Sequence, residues 1–195
     1  MNTDFEIPSA PKKERGIFSE MIRFIFLALI IVIPIRAFIA QPFVVQGSSM
    51  DPTFATSDYL IVDQLSYNLR EPHRGEVSII RYPLEPRIFF IKRVIGLPGD
   101  KISIKNGEIT IIDKLHPEGF KLDEPYVTFS KNETMERAVP ENEYFVMGDN
   151  RAASSDSRVW GTVPKKDMVG RAFIRLLPVK EIDFLPGVYT SYINQ

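Results

Sequence analysis

Apolar and polar positions divide the chain into two unlike parts. Residues 24–35 (FIFLALIIVIPI) form an uninterrupted apolar run bracketed by Arg23 and Arg36. A run that is apolar on every side predicts a helix with no polar face. Alone it is shorter than the roughly 20 residues a bilayer span takes. Counted over 17–40 it is long enough, with Arg23 and Arg36 snorkelling to the two interfaces and Phe38 and Phe43 adding weight at the outer end. The expectation is a transmembrane anchor over 17–40, preceded by a short tail, 1–16. Lys12, Lys13, Arg15 and Arg23 precede or open the segment. The positive-inside rule then puts the N-terminus in the cytoplasm and the rest outside, single-pass in a cell membrane. A cleaved secretory signal is the rival. A cut after Ala40 would place bulky Phe38 where a small residue is wanted.

Past residue 40 the period shortens. β-rich runs recur at 59–63 (YLIVD), 76–82 (EVSIIRY), 88–95 (IFFIKRVI), 144–147 (YFVM) and 168–177, punctuated by Gly and Pro. The clearest local signal is KISIK-NG-EITII, 101–112. Asn106-Gly107 suits a two-residue hairpin turn, which needs positive φ at both positions. That turn pairs Ile104 with Ile109 and Ile102 with Ile111, so all four share one core face. Residues 113–143 are polar and contain prolines; they read as a long insertion or excursion with weak order signals. The predicted class is mainly β: a single N-terminal transmembrane helix followed by one β-rich domain over 41–195.

Composition narrows the chemistry. There is no cysteine, so disulfides, thiolate metal sites and a cysteine nucleophile are excluded. The formal net charge of -1 gives no footprint for a nucleic-acid partner. The two histidines, His73 and His116, each adjoin a proline in a polar, turn-like stretch. They are poorly placed for a Ser-His-Asp triad and lack the spacing of a metal site. No metal and no cofactor is expected.

Three stretches hold candidate chemistry. Gln46-Gly47-Ser48-Ser49-Met50-Asp51-Pro52-Thr53 reads by itself as a loop and turn. In the second, alternation puts Phe90, Lys92 and Val94 on one strand face and Ile91, Arg93 and Ile95 on the other. Lys92 is either an edge-strand lysine that blocks aggregation or a buried lysine whose lowered pKa makes it a general base. At an ordinary pKa of about 10.4 only roughly one lysine in 2,500 is neutral at pH 7. A drop in basicity of about a thousandfold, about 4 kcal/mol of lost charge stabilisation, makes the base available. The third stretch, 147–161, is dense in hydrogen-bonding groups and holds the only Trp.

Taken together and in order, these stretches resemble bacterial type I signal peptidase, the S26 serine protease family. The resemblance is carried by Gly47-Ser48-Ser49-Met50 with Pro52-Thr53, Arg74-Gly75-Glu76-Val77, Lys92-Arg93 with Gly96-Leu97-Pro98-Gly99-Asp100, and Gly148-Asp149-Asn150-Arg151 with Ser154, Asp156, Ser157, Arg158 and Trp160-Gly161. It spans nearly the whole chain after the apolar segment.

The resemblance implies a serine endopeptidase with Ser49 as nucleophile and Lys92 as general base, working through an acyl-enzyme. It makes Ser154 the serine that hydrogen-bonds and orients the lysine, and Asp156 and Arg158 a supporting ion pair; Asp149 and Arg151 are structural. The Ser49 backbone N–H is one oxyanion donor. Some members carry a serine where Gly47 stands, and polar residues where Ala152 and Ala153 stand. The implied substrates are signal-peptide-bearing preproteins cut after a small-x-small site. The lipid bilayer and, by proximity, the secretion machinery are the other implied partners, with a monomer as the default. Nine extended residues from Ala40 to Ser49 span at most about 30 Å, which keeps the nucleophile near the membrane surface. Two other readings compete: a soluble self-cleaving repressor-type Ser/Lys protease, and a membrane-anchored β-rich binding module without catalysis.

Overall fold

The computed structural model describes residues 17–34 and 40–189. They fall into two units, Met1–Ala37 and Phe38–Gln195. The first contains α1, Ile17–Pro34. Its side chains are largely exposed all round, as the pattern predicts. Eighteen residues at about 1.5 Å each give about 27 Å, short of a hydrocarbon core of about 30 Å. Glu20 and Arg23 also occupy its first turns. Among the described residues no helix is long and apolar enough to cross a membrane. The expected span of 17–40 is therefore corrected: the described helix covers Ile17–Pro34, and Ala40 already belongs to a strand. Arg36, Phe38 and the basic tail 1–16 lie outside the described residues.

The second unit is mainly β. Its strands are β1 (Ala40–Val44), β2 (Tyr59–Asp63), β3 (Val77–Tyr82), β4 (Glu85–Gly96), β5 (Lys101–Lys105), β6 (Glu108–Ile112), β7 (Phe120–Lys121), β8 (Met135–Ala138), β9 (Glu143–Met147), β10 (Val163–Pro164), β11 (Met168–Leu177) and β12 (Asp183–Phe184). Two short helices, α2 (Leu65–Leu69) and α3 (Ser157–Trp160), interrupt them. The main sheet has eight strands in the order β1-β2-β11-β3-β4-β9-β10, with β12 added to β11. Its pairings are antiparallel. The sheet curls enough for Phe43 on β1 to meet Phe89 on β4, ring centroids 5.5 Å apart.

The predicted hairpin forms β5 and β6 with the expected register. Asn106 and Gly107 have φ of 54° and 84°, and Ile102, Ile104, Ile109 and Ile111 are at most 1% exposed. The excursion at 113–143 is more ordered than its polarity suggests. It returns twice to the hairpin, β7 pairing with β6 and β8 with β5, to make a four-stranded sheet. Sparse apolar anchors hold it: Leu122, Tyr126 and Val139 are buried. Glu124 and Glu133 then tie it to Arg151 and Arg158.

Candidate active site

Ser49 stands in the turn that follows β1. The turn is closed by Asp51 N–H donating to the Ser48 carbonyl at 3.2 Å and Phe54 N–H to the Met50 carbonyl at 3.0 Å. Met50 and Phe54, 1% and 0% exposed, plug into the core below. Ser49 is thereby left half-buried at the surface. Gly47, two residues earlier, has φ of 89°, in the left-handed region that favours glycine.

Lys92 lies in the middle of β4, opposite Ser78 of β3. It is 3% exposed, so the solvent-facing edge lysine is excluded. Its Nζ is 2.8 Å from Ser49 Oγ and donates to the Ile91 carbonyl at 3.0 Å. The predicted alternation holds: Nζ lies 5.2 Å from the Phe90 ring centroid, and Phe90 and Val94 share one core cluster. Burial pushes the Lys92 pKa down to about 8. Asp156 and Asp149 pull it back up, and Arg158 pushes it further down.

The loop after β9 closes over this pair. Asn150 N–H donates to the Ser49 carbonyl at 3.1 Å. A Cβ on Gly148 would stand 2.4 Å from that same carbonyl oxygen and 2.3 Å from Ser154 Oγ. Only a residue without a side chain lets the loop approach so closely. We therefore expect Gly148→Ala to displace the nucleophile and cut kcat on the order of a hundredfold while the chain remains folded. Steady-state kinetics beside circular dichroism checks this; wild-type kcat would refute the close-approach argument.

Asp156 caps α3, accepting from the Arg158 backbone N–H at 3.2 Å. The Arg158 guanidinium grips both carboxylate oxygens at 2.7 and 2.8 Å, so the expected ion pair is made. Asp156 also accepts from Gly148 N–H at 3.0 Å. Burial alone would raise its pKa; the bonds and charge of Arg158, with Gly148 N–H and the nearby Ser154, hold it below the usual value. Ser154 arrives by a different contact from the one expected. Its Oγ packs on Gly148 and makes no hydrogen bond of ordinary geometry, while Lys92 bonds Ser49 and Ile91.

The sequence drew Arg93 only as the back of a strand, and the structure gives it more. Arg93 and Asp149 have fully buried side chains, joined through Nε to Oδ1 at 2.8 Å and Nη2 to Oδ2 at 2.6 Å. Thr53 Oγ1 donates to the same carboxylate at 2.5 Å. The strand carrying Lys92 is thus fastened to the turn carrying Ser49. The available signal was an arginine at an inward strand position beside the candidate base. Arg151 pairs with Glu124 at 2.5 Å, a partner from the excursion that no local pattern indicates. His73 and His116 stand apart, on the wall of a cavity of about 600 Å³ away from Ser49 and Lys92. Among the described residues no group of three His, Cys, Asp or Glu is arranged to hold a metal.

The stretch that holds Ser49, Lys92 and the loop after β9 lies within a match to a known family. Residues 18–177 match the model for signal peptidase, peptidase S26, and the chain belongs to that family. Among its relatives, a probable signal peptidase I-2 from Synechocystis sp. is 38% identical, over 81% of this chain and 72% of its own. A signal peptidase I from Leptolyngbya laminosa is 35% identical, over 94% of this chain and 91% of its own. A signal peptidase I from Bacillus licheniformis is also 35% identical, over 87% and 94%.

Proposed function

We propose that the chain is a serine endopeptidase that removes N-terminal signal peptides from exported preproteins, with Ser49 as nucleophile and Lys92 as general base. The observation that carries this is the 2.8 Å contact between Ser49 Oγ and a 3% exposed lysine amine. Neutral Lys92 takes the Ser49 proton as Oγ attacks the scissile carbonyl. The resulting ammonium returns that proton to the leaving amine, giving an ester on Ser49. Lys92, neutral again, activates the water that hydrolyses the ester. The Ser49 backbone N–H stabilises the oxyanion. Ser154 packs Gly148 in place beside the nucleophile, and Asp156 with Arg158 holds the loop.

The cleft beside the pair supports a small-x-small substrate. It encloses about 140 Å³, with Phe43, Val45, Ile79 and Ile91 among its apolar walls. That is below the roughly 300–1,000 Å³ of pockets for larger ligands and suits small side chains. β1 is the last strand of its sheet, and β9 pairs with β4 only along residues 93–96. An extended peptide can add to these open edges by main-chain hydrogen bonds. The apolar segment 24–35 serves as membrane anchor in this reading. The N-terminus is cytoplasmic and the second unit extracytoplasmic.

The test is cleavage of a preprotein by the detergent-solubilised full chain across pH. With a base of pKa about 8, kcat/KM should rise about tenfold per pH unit below 8 and level off above it. A limb near 6, or no acid limb, would count against Lys92 as base. Absence of any cleavage by folded protein would favour the binding module instead.

A further inference from the structure

The C-terminal stretch 185–189 lies past residue 177, where the family match ends, yet it is packed behind the catalytic pair. Leu185 N–H donates to the Phe173 carbonyl at 2.8 Å, and Val188 N–H to the Leu185 carbonyl at 3.1 Å. Pro186 is buried. The Gly187 carbonyl accepts from Arg93 Nη1, which also donates to the Gly75 carbonyl at 2.8 Å. The guanidinium lies 3.9 Å from the Tyr126 ring centroid and 5.5 Å from that of Tyr189, and the two rings are 5.2 Å apart. Gly187 has φ of 78°, and a Cβ there would stand 2.8 Å from Thr53 Cγ2. Thr53 is in turn held through its carbonyl by Arg175 Nη1 at 3.0 Å and through its hydroxyl by Asp149.

From this we infer that residues 185–189 are a positioning element of the active site, keeping the Ser49 turn and the Lys92 strand in register through Arg93, Asp149 and Thr53. Arg93 is the chain neighbour of Lys92, and Thr53 lies one turn past Ser49. Both are gripped from the side away from substrate by the same few residues. Two cation–π contacts hold the guanidinium plane, and the Gly187 and Gly75 carbonyls both accept from its Nη1. Removing the stretch lets Arg93 tilt and admits water beneath Lys92. The inference rests on Ser49 and Lys92 as the reacting pair.

The experiment compares the full chain in detergent with Gly187→Ala, Tyr189→Ala, Tyr189→Phe and a chain stopped after Phe184. Preprotein kcat and KM are measured together with the titration of Lys92, followed by NMR on lysine-labelled protein. The shortened chain and Gly187→Ala should lose kcat about tenfold or more at unchanged KM. The Lys92 titration should move upward from about 8 as burial is relieved. Tyr189→Ala should move in the same direction by less, and Tyr189→Phe should match wild type. A folded shortened chain with wild-type kcat and Lys92 titration overturns the inference, as does a change confined to KM or to thermal stability. If the shortened chain does not fold, the two point variants decide. If wild type itself cuts nothing, the proposed function fails, and the Lys92 titration still tests the positioning.

Discussion

Ser49→Ala and Lys92→Met should each lower preprotein cleavage by at least about a thousandfold, because each removes one half of a single proton-transfer unit. The double variant should be no worse than either alone, since residues that act as a unit are not additive. Lys92→Met carries a second expectation of opposite sign. In the fold the amine has a pKa of about 8, against 10.5 as the ordinary value. Between those two values the unfolded chain binds more protons than the native one, so stability rises with pH across the window. Below about pH 8 both states are protonated and the whole penalty, about 3 kcal/mol, is carried by the native state. Methionine fills a similar volume without a charge. At pH 7 the inactive variant should therefore be more stable than wild type in urea unfolding, by up to about 3 kcal/mol, with the difference shrinking toward pH 10.5. A variant that still cuts ends the assignment of Lys92. One that is inactive but less stable than wild type would mean that the lysine also serves as a structural tie.

How much of this was legible depends on whether the determining contacts are local. The β5–β6 hairpin was readable because Asn106-Gly107 sets its register and the four isoleucines its inner face. β2 and β11 were bounded correctly by their β-rich composition. Lys92 was visible as a charge on an otherwise apolar strand face, but the pattern left open whether it was buried or at an exposed edge, which the structure decides. Its 2.8 Å contact with Ser49 was not, because the partners lie 43 residues apart and are brought together by sheet topology. The same holds for the excursion at 113–143. Its order comes from pairing with β5 and β6 and from Glu124 and Glu133 reaching Arg151 and Arg158, none of which a window of neighbours contains. The apolar segment misled on its length. Hydropathy summed over 17–40 ignores that Ala40 is claimed by β2 as a strand partner.

The second large effect should come from the pair behind the site. Arg93→Ala or Asp149→Ala leaves a fully buried charge without its partner, and each should cost about 3–5 kcal/mol in chemical denaturation. Replacing both by apolar residues of similar volume, Arg93→Met with Asp149→Leu, removes the charge and the desolvation together. That double variant should regain most of the lost stability, since buried ion pairs contribute little net against a packed apolar substitute. Cleavage should not return with it. Asp149 also accepts from Thr53 at 2.5 Å, and a leucine cannot hold that hydroxyl. The turn bearing Ser49 would then be free to drift from Lys92, and positional errors near 1 Å can cost about a hundredfold in rate. Recovery of stability without activity would separate the two roles of the pair, with fold tolerance on one side and active-site geometry on the other. Recovery of both would mean that the Gly148–Ser49 packing and the Asn150 bond hold the nucleophile unaided.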